Sequence, residues 1–152
     1  RARRASRPSH LHAEVRRVLS EELGLACEDE HLTALGYTVD LRLRPPPGRD
    51  PGALLGVGGR PVAVEVDGPT HFARNAPHRA QPLGHTVMKR RHLRAAGWAL
   101  LSVPYHRFQP APPAARRRVL EERLLALRAE EVARLATSGV LDGQLFSSSK
   151  PQ

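Results

Sequence analysis

Hydrophobic and polar positions recur along this chain with two periods, and the switches between them mark its elements. Ser9 offers a helix N-cap, and Leu11, Val15, Val18, Leu19 and Leu23 follow at helical spacing up to Gly24, a C-cap residue. From Tyr37 to Leu43 the period falls to two. Val39, Leu41 and Leu43 alternate with Thr38, Asp40 and Arg42, as in a half-buried strand. The proline-rich stretch "RPPPGRDPG" (44–52) ends it as a loop. "RPVAVEVDG" (60–68) supplies a second strand, with Val62, Val64 and Val66 on one face and Ala63, Glu65 and Asp67 on the other. Residues 73–85, with two prolines and scattered polar side chains, read as a loop. Thr86 is the expected cap of a short basic helix, "VMKRRHLRAA", stopped by Gly97. "WALLSVPY" (98–105) has the length of a buried strand. Prolines 110, 112 and 113 reset the chain before a last helix, 113–137, striped by Leu120, Leu124, Leu127 and Leu135.

The order helix, strand, strand, helix, strand, helix predicts an α/β domain, a mixed sheet flanked by helices. Its expected bounds are 9–137, between a poorly ordered basic arm (1–8) and a C-terminal tail (138–152). The length, 152 residues, suits one domain with a modest core. Aromatics are only 4%, so that core should be Leu, Val and Ala. A single cysteine, Cys27, excludes an internal disulfide. No apolar run reaches the roughly 18 residues of a membrane span. The chain begins on Arg1, and we read it as a piece of something longer. Lys and Arg total 24 against 15 acids, a net charge of +9. Such an excess favours a polyanionic partner, through phosphate neutralisation and counterion release.

"VEVDGPTHF" (64–72) raises a sharper question: two acids on one face of a strand repel each other unless something positive lies between them. If the two central strands pair, Asp40 joins Glu65 and Asp67 at about one strand spacing, roughly 5 Å, with His71 just beyond the turn. Three hard oxygen ligands suit Mg²⁺ or Mn²⁺, and a metal there would serve phosphodiester hydrolysis. The plain alternatives are a solvated strand end for Glu65 and Asp67 and a structural role for His71.

The stretches "AVEVDGPTHF" and "GHTVMKRRHLRAAGWALLSVPYHRF" resemble the RAP domain over roughly residues 37–108. The pieces fall in the family's order: an acidic strand, E-x-D-G-P-x-H-F, K-R-R-x-L-x-x-x-G-W, and V-P-Y. In animals this domain closes the Fas-activated serine/threonine kinase family of mitochondrial RNA-binding proteins. The domain is in turn similar to very-short-patch-repair endonucleases and to the PD-(D/E)xK, or restriction-endonuclease-like, core. That likeness implies metal-binding and catalytic positions at Asp40, Glu65 and Asp67, with His71 assisting. Asp67 falls where most PD-(D/E)xK members carry a lysine, and an aspartate cannot stabilise developing negative charge. Whether the chain is an enzyme therefore stays open. Protein-kinase motifs are missing: "GVGGRP" (56–61) lacks the spacing of a Gly-rich loop.

The resemblance and the charge together imply an RNA-binding domain of a mitochondrial factor controlling mRNA processing and stability. Mitochondrial transcripts would be the partners, other RNA-processing proteins further ones, and the matrix the location, with nucleus or cytoplasm as alternatives. Lys89, Arg90, Arg91 and Arg94 are the expected phosphate contacts, solvent-exposed, so that removing Lys89, Arg90 and Arg94 should barely change stability. Trp98 and Tyr105 would stack on bases or serve the core, and Arg116, Arg117 and Arg118 are weaker phosphate candidates. Two alternatives remain: an Mg- or Mn-dependent endoribonuclease using the carboxylates, and a protein-interaction module presenting the leucine-striped last helix.

Overall fold

The computed structural model describes residues 9–45, 48, 60–69 and 82–139. The arm 1–8, most of the expected tail, the greater part of both predicted loops and His71 lie outside the described residues. Helix α1 (His10–Arg17) begins where Ser9 accepts a hydrogen bond from the His12 N–H, and it widens into a π-helical turn, Val18–Glu22. Strands β1 (Ala26–Leu32) and β2 (Thr38–Arg44) form an antiparallel pair, and β3 (Val62–Asp67) lies antiparallel to β2. Helix α2 (Gly84–Ala95) then crosses over, so that β4 (Ala99–Pro104) returns parallel to β3. A short α3 (Tyr105–Phe108) leads into the long α4 (Pro113–Thr137). The sheet is mixed, in the order β1-β2-β3-β4.

Three features depart from the sequence expectation. Strand β1 was not expected, because "ACEDEHL" has too few apolar residues to show a period. It is an edge strand, mostly exposed or half-buried, and owes its conformation to the ladder with β2. Thr86 is not the cap of α2. The helix starts earlier, at Gly84, and Thr86 is buried within it. The leucine stripe of α4 does not face a partner: Leu120, Leu127 and Leu135 are buried and Leu124 packs on the main core.

The sheet buries both faces. One carries Leu41, Leu43, Val62, Val64, Val66, Ala99, Leu101 and Val103 against α1, Phe108 and α4. The other gathers Val39, Ala63 and Leu100 around Leu93 of α2, with Tyr37 and Trp98 at its margin. All six residues of β3 are therefore buried, including both acids. The β1–β2 ladder pairs Asp29 with Leu41 and His31 with Val39 and is interrupted between Glu30 and Asp40, where Glu30 takes a φ of 47°.

Arg60, just before β3, ties three elements together. Its Nε donates to the Gly97 carbonyl at 3.0 Å and its Nη2 to those of Trp98 and Arg94, at 2.6 and 3.0 Å. Arg94 lies in the last turn of α2, and Gly97 and Trp98 lie between that helix and β4. The same guanidinium pairs with the buried Glu131 of α4 at 3.2 Å. Arg60→Ala should lower unfolding free energy by roughly 2 kcal/mol, the cost of leaving its backbone acceptors unmet, while Glu131 keeps Arg134 as a partner at 3.1 Å. Urea denaturation of that variant, beside an exposed Arg128→Ala control, measures it.

Candidate functional site

Glu65 and Asp67 are two residues apart on a strand, so their side chains leave one face about 7 Å apart. That face lies under α2, and consecutive residues of α2 answer them. Lys89 Nζ donates to Glu65 Oε2 at 2.9 Å and to the Thr38 carbonyl at 2.7 Å. The Arg90 guanidinium pairs with Asp67 Oδ2 through Nη2 and donates to Ser102 Oγ at 3.1 Å. Ser102, from β4, donates its hydroxyl to Asp67 Oδ2 at 2.6 Å. Arg123 of α4 holds that stretch from the other side, with two hydrogen bonds to the Ser102 carbonyl, at 2.9 and 2.5 Å. The positive charge between the acids is thus the protein's own.

Asp40 faces the same region differently. Continuing the Leu41↔Val64 register by one residue sets it across from Glu65. Its carboxylate, however, turns to the backbone, where Oδ2 accepts from the Val66 N–H at 2.7 Å. Burial pushes the Glu65 carboxyl up to about 7; Asp40 and Asp67 push the same way, while Lys89 opposes them. Its Oε1 is buried without a hydrogen-bond partner. A carboxyl that holds its proton near neutrality tolerates this better than a carboxylate would.

The expected divalent-metal set does not fit these residues as arranged. Glu65 and Asp67 are each joined to a side-chain cation, and Asp40 is bonded to a main-chain amide. Among the described residues no three of His, Cys, Asp and Glu converge as metal ligands.

The basic helix divides. Lys89 and Arg90 face the sheet and are only partly exposed, contrary to their expected place in solvent. Arg91 and Arg94 are exposed, with no side-chain partner among the described residues. Trp98 is half-buried, its ring centroid 5.5 Å from that of His31 and beneath the Arg42 guanidinium at 5.7 Å. Tyr105 packs against the main core. The three arginines that open α4 are paired with acids: Arg116 with Glu14, Arg117 with Glu121 and Arg118 with Glu122. Sequence reasoning missed Ser102 and Arg123. Both had a visible signal: Ser102 interrupts an apolar run, and Arg123 lies within the leucine stripe of α4.

The RAP domain family model matches residues 64–111, from the middle of β3 to just before α4. A chloroplastic RAP domain-containing protein of Oryza sativa subsp. japonica is 48% identical over 48 residues. The match covers 32% of this chain and 7% of that relative. Both acids, both of their cations and Ser102 lie inside the matched segment; Asp40 lies outside it.

The two ion pairs should fail differently. Arg90→Ala removes the cation paired with the fully buried Asp67, at a cost of roughly 3–5 kcal/mol. Lys89→Ala should cost less, because Glu65 takes up a proton instead. Arg91→Ala should barely move the melting curve, and urea midpoints of the three variants rank them. Glu65 also sets a pH dependence. Its folded pKa lies above the ordinary carboxyl value of 4.5, so the native state holds a proton that the unfolded chain releases. That stability is fully present below about 4.5, falls as pH rises, and is gone above about 7. Glu65→Gln should flatten the urea midpoint across that window.

Proposed function

Residues 64–111 of this chain match the RAP domain family model, and from that match we propose that the protein binds single-stranded RNA through the exposed cations of this segment. The observation that carries the reading is its charge balance. The segment holds seven Lys and Arg against two acids, Glu65 and Asp67. Both acids are buried, and each is paired with a cation of α2. Arg91, Arg94 and Arg107 remain exposed on it, with no acid of the segment left at its surface. Phosphate groups are the complementary partner, and backbone contacts of this kind supply affinity rather than sequence choice.

The chloroplastic relative supports an organellar setting, and a mitochondrial factor in mRNA processing and stability is the specific form we propose. No helix among the described residues is long and apolar enough to cross a membrane. A PD-(D/E)xK ancestry of the sheet belongs to the same reading: it accounts for acids on β3 that now bind the protein's own Lys89 and Arg90. Binding is favoured over cleavage because those acids are taken.

The test is a fluorescence-anisotropy titration of single-stranded RNA at several salt concentrations. Arg91→Ala and Arg94→Ala should each weaken binding about equally across sequences and flatten the salt slope by roughly 0.7, the single-strand value per contact. Added Mn²⁺ should produce no cleavage. RNA affinity without salt dependence would sink the proposal, and Mn²⁺-dependent cutting lost in Asp67→Asn would establish the nuclease alternative instead.

A further inference from the structure

An open groove of about 500 Å³ lies between the β1–β2 turn and the C-terminal half of α2, lined by Leu35, Tyr37, His92, Ala95 and Ala96. The volume is within the range of about 300–1,000 Å³ typical of small-molecule sites. Its walls are fixed by the local sequence. Thr33 closes the turn: its N–H donates to the Tyr37 carbonyl at 2.8 Å, its Oγ1 donates to the same carbonyl at 2.9 Å, and Oγ1 accepts from the Tyr37 N–H at 3.2 Å. Gly36, at φ 81°, supplies the left-handed residue that the turn requires. Leu35 is thereby held outward, 53% exposed. Across the groove the Tyr37 hydroxyl and His92 Nδ1 are hydrogen-bonded at 2.7 Å, and the two rings lie 5.9 Å apart, tilted by 39°.

His92, Ala95 and Ala96 share one face of α2, since residues three and four apart are neighbours on a helix. Arg90 and Leu93 point elsewhere, into the sheet. The floor is two small side chains, and the wall is two planar rings held in place. Because Tyr37 occupies Nδ1, the other imidazole nitrogen of His92 is left to meet a polar edge. Arg91 is exposed and, four residues before Ala95, neighbours it on the surface of α2, within a long side chain's reach of the groove. Helix α2 carries Lys89, Arg90, Arg91 and Arg94 and no acid.

We infer that this groove seats one unstacked base of a single-stranded nucleic acid, with Arg91 on the adjoining phosphate. The inference rests on the RNA-binding reading above and deepens it by naming where a base is held. A flat, apolar surface with a polar edge next to a cation matches a nucleotide, which carries a π-face, hydrogen-bonding edges and a phosphate. An apolar peptide segment would meet the same walls but leave the cation unanswered.

The test compares a short oligouridine with an abasic oligomer of the same length and charge. Wild-type protein should bind the oligouridine more tightly by about five- to 150-fold, the range of one base–aromatic stack. Ala95→Leu fills the groove from an exposed helix position and should erase that difference while leaving the abasic affinity and the melting temperature unchanged. Arg91→Ala should weaken both oligomers alike. Equal wild-type affinity for the two oligomers would overturn the inference and leave the groove to an apolar protein segment. A difference that survives Ala95→Leu would overturn it too, by placing the base elsewhere. If neither oligomer binds in a salt-dependent way, the RNA-binding reading itself fails, and this inference with it.

Discussion

The fold depends on two buried carboxylates and the helix that neutralises them. Asp67 is fully buried and Glu65 nearly so, and a charge left unpaired at such depth costs a large share of a domain's stability. Helix α2 therefore has to lie over β3 with Lys89 and Arg90 turned inward. That single placement covers the second face of the sheet, sets the β3–α2–β4 crossover and brings Ser102 into the same network. Arg60 then anchors the C-terminus of α2 and joins it to Glu131 of α4. The contacts are directional, so they fix a register that apolar packing alone leaves loose.

The same placement divides the charge of the helix into two roles. Lys89 and Arg90 stabilise the fold, while Arg91 and Arg94 are left in solvent. A run written K-R-R-x-x-R in the sequence thus holds two tasks, determined by which side of a helix faces a strand. The fold also turns His92, Ala95 and Ala96 toward the β1–β2 turn, so that one short helix borders a buried polar network, an open groove and a basic rim. The cations that hold the acids are the reason the acids do not resemble a metal site. In their place a lysine and an arginine do for the fold what a divalent ion would do for a nuclease.

Much of the architecture was legible along the chain, and the reason is local. Apolar periodicity and end signals are carried by neighbouring residues, so Ser9 at the start of α1, Gly97 after α2 and the whole of α4, Pro113–Thr137, are readable without tertiary information. The motifs around Glu65, Asp67 and the basic helix were legible in the same way, as was the excess of positive charge. Strand β1 was not, because its residues carry no period of their own and take strand geometry from β2.

What only the tertiary structure decided is which residues face one another. Sequence spacing placed Glu65 and Asp67 on a common polar face but could not say that this face is buried, since burial depends on α2 crossing back over it. Nor could it separate Lys89 and Arg90 from Arg91 and Arg94, because four cations in just over one turn look alike until one side of the helix meets a carboxylate. The leucine stripe of α4 was readable, but its partner was not; the stripe meets the chain's own sheet rather than another protein. Composition and period set the elements and the excess of positive charge. Long-range pairing of charge set which of those cations are left in solvent.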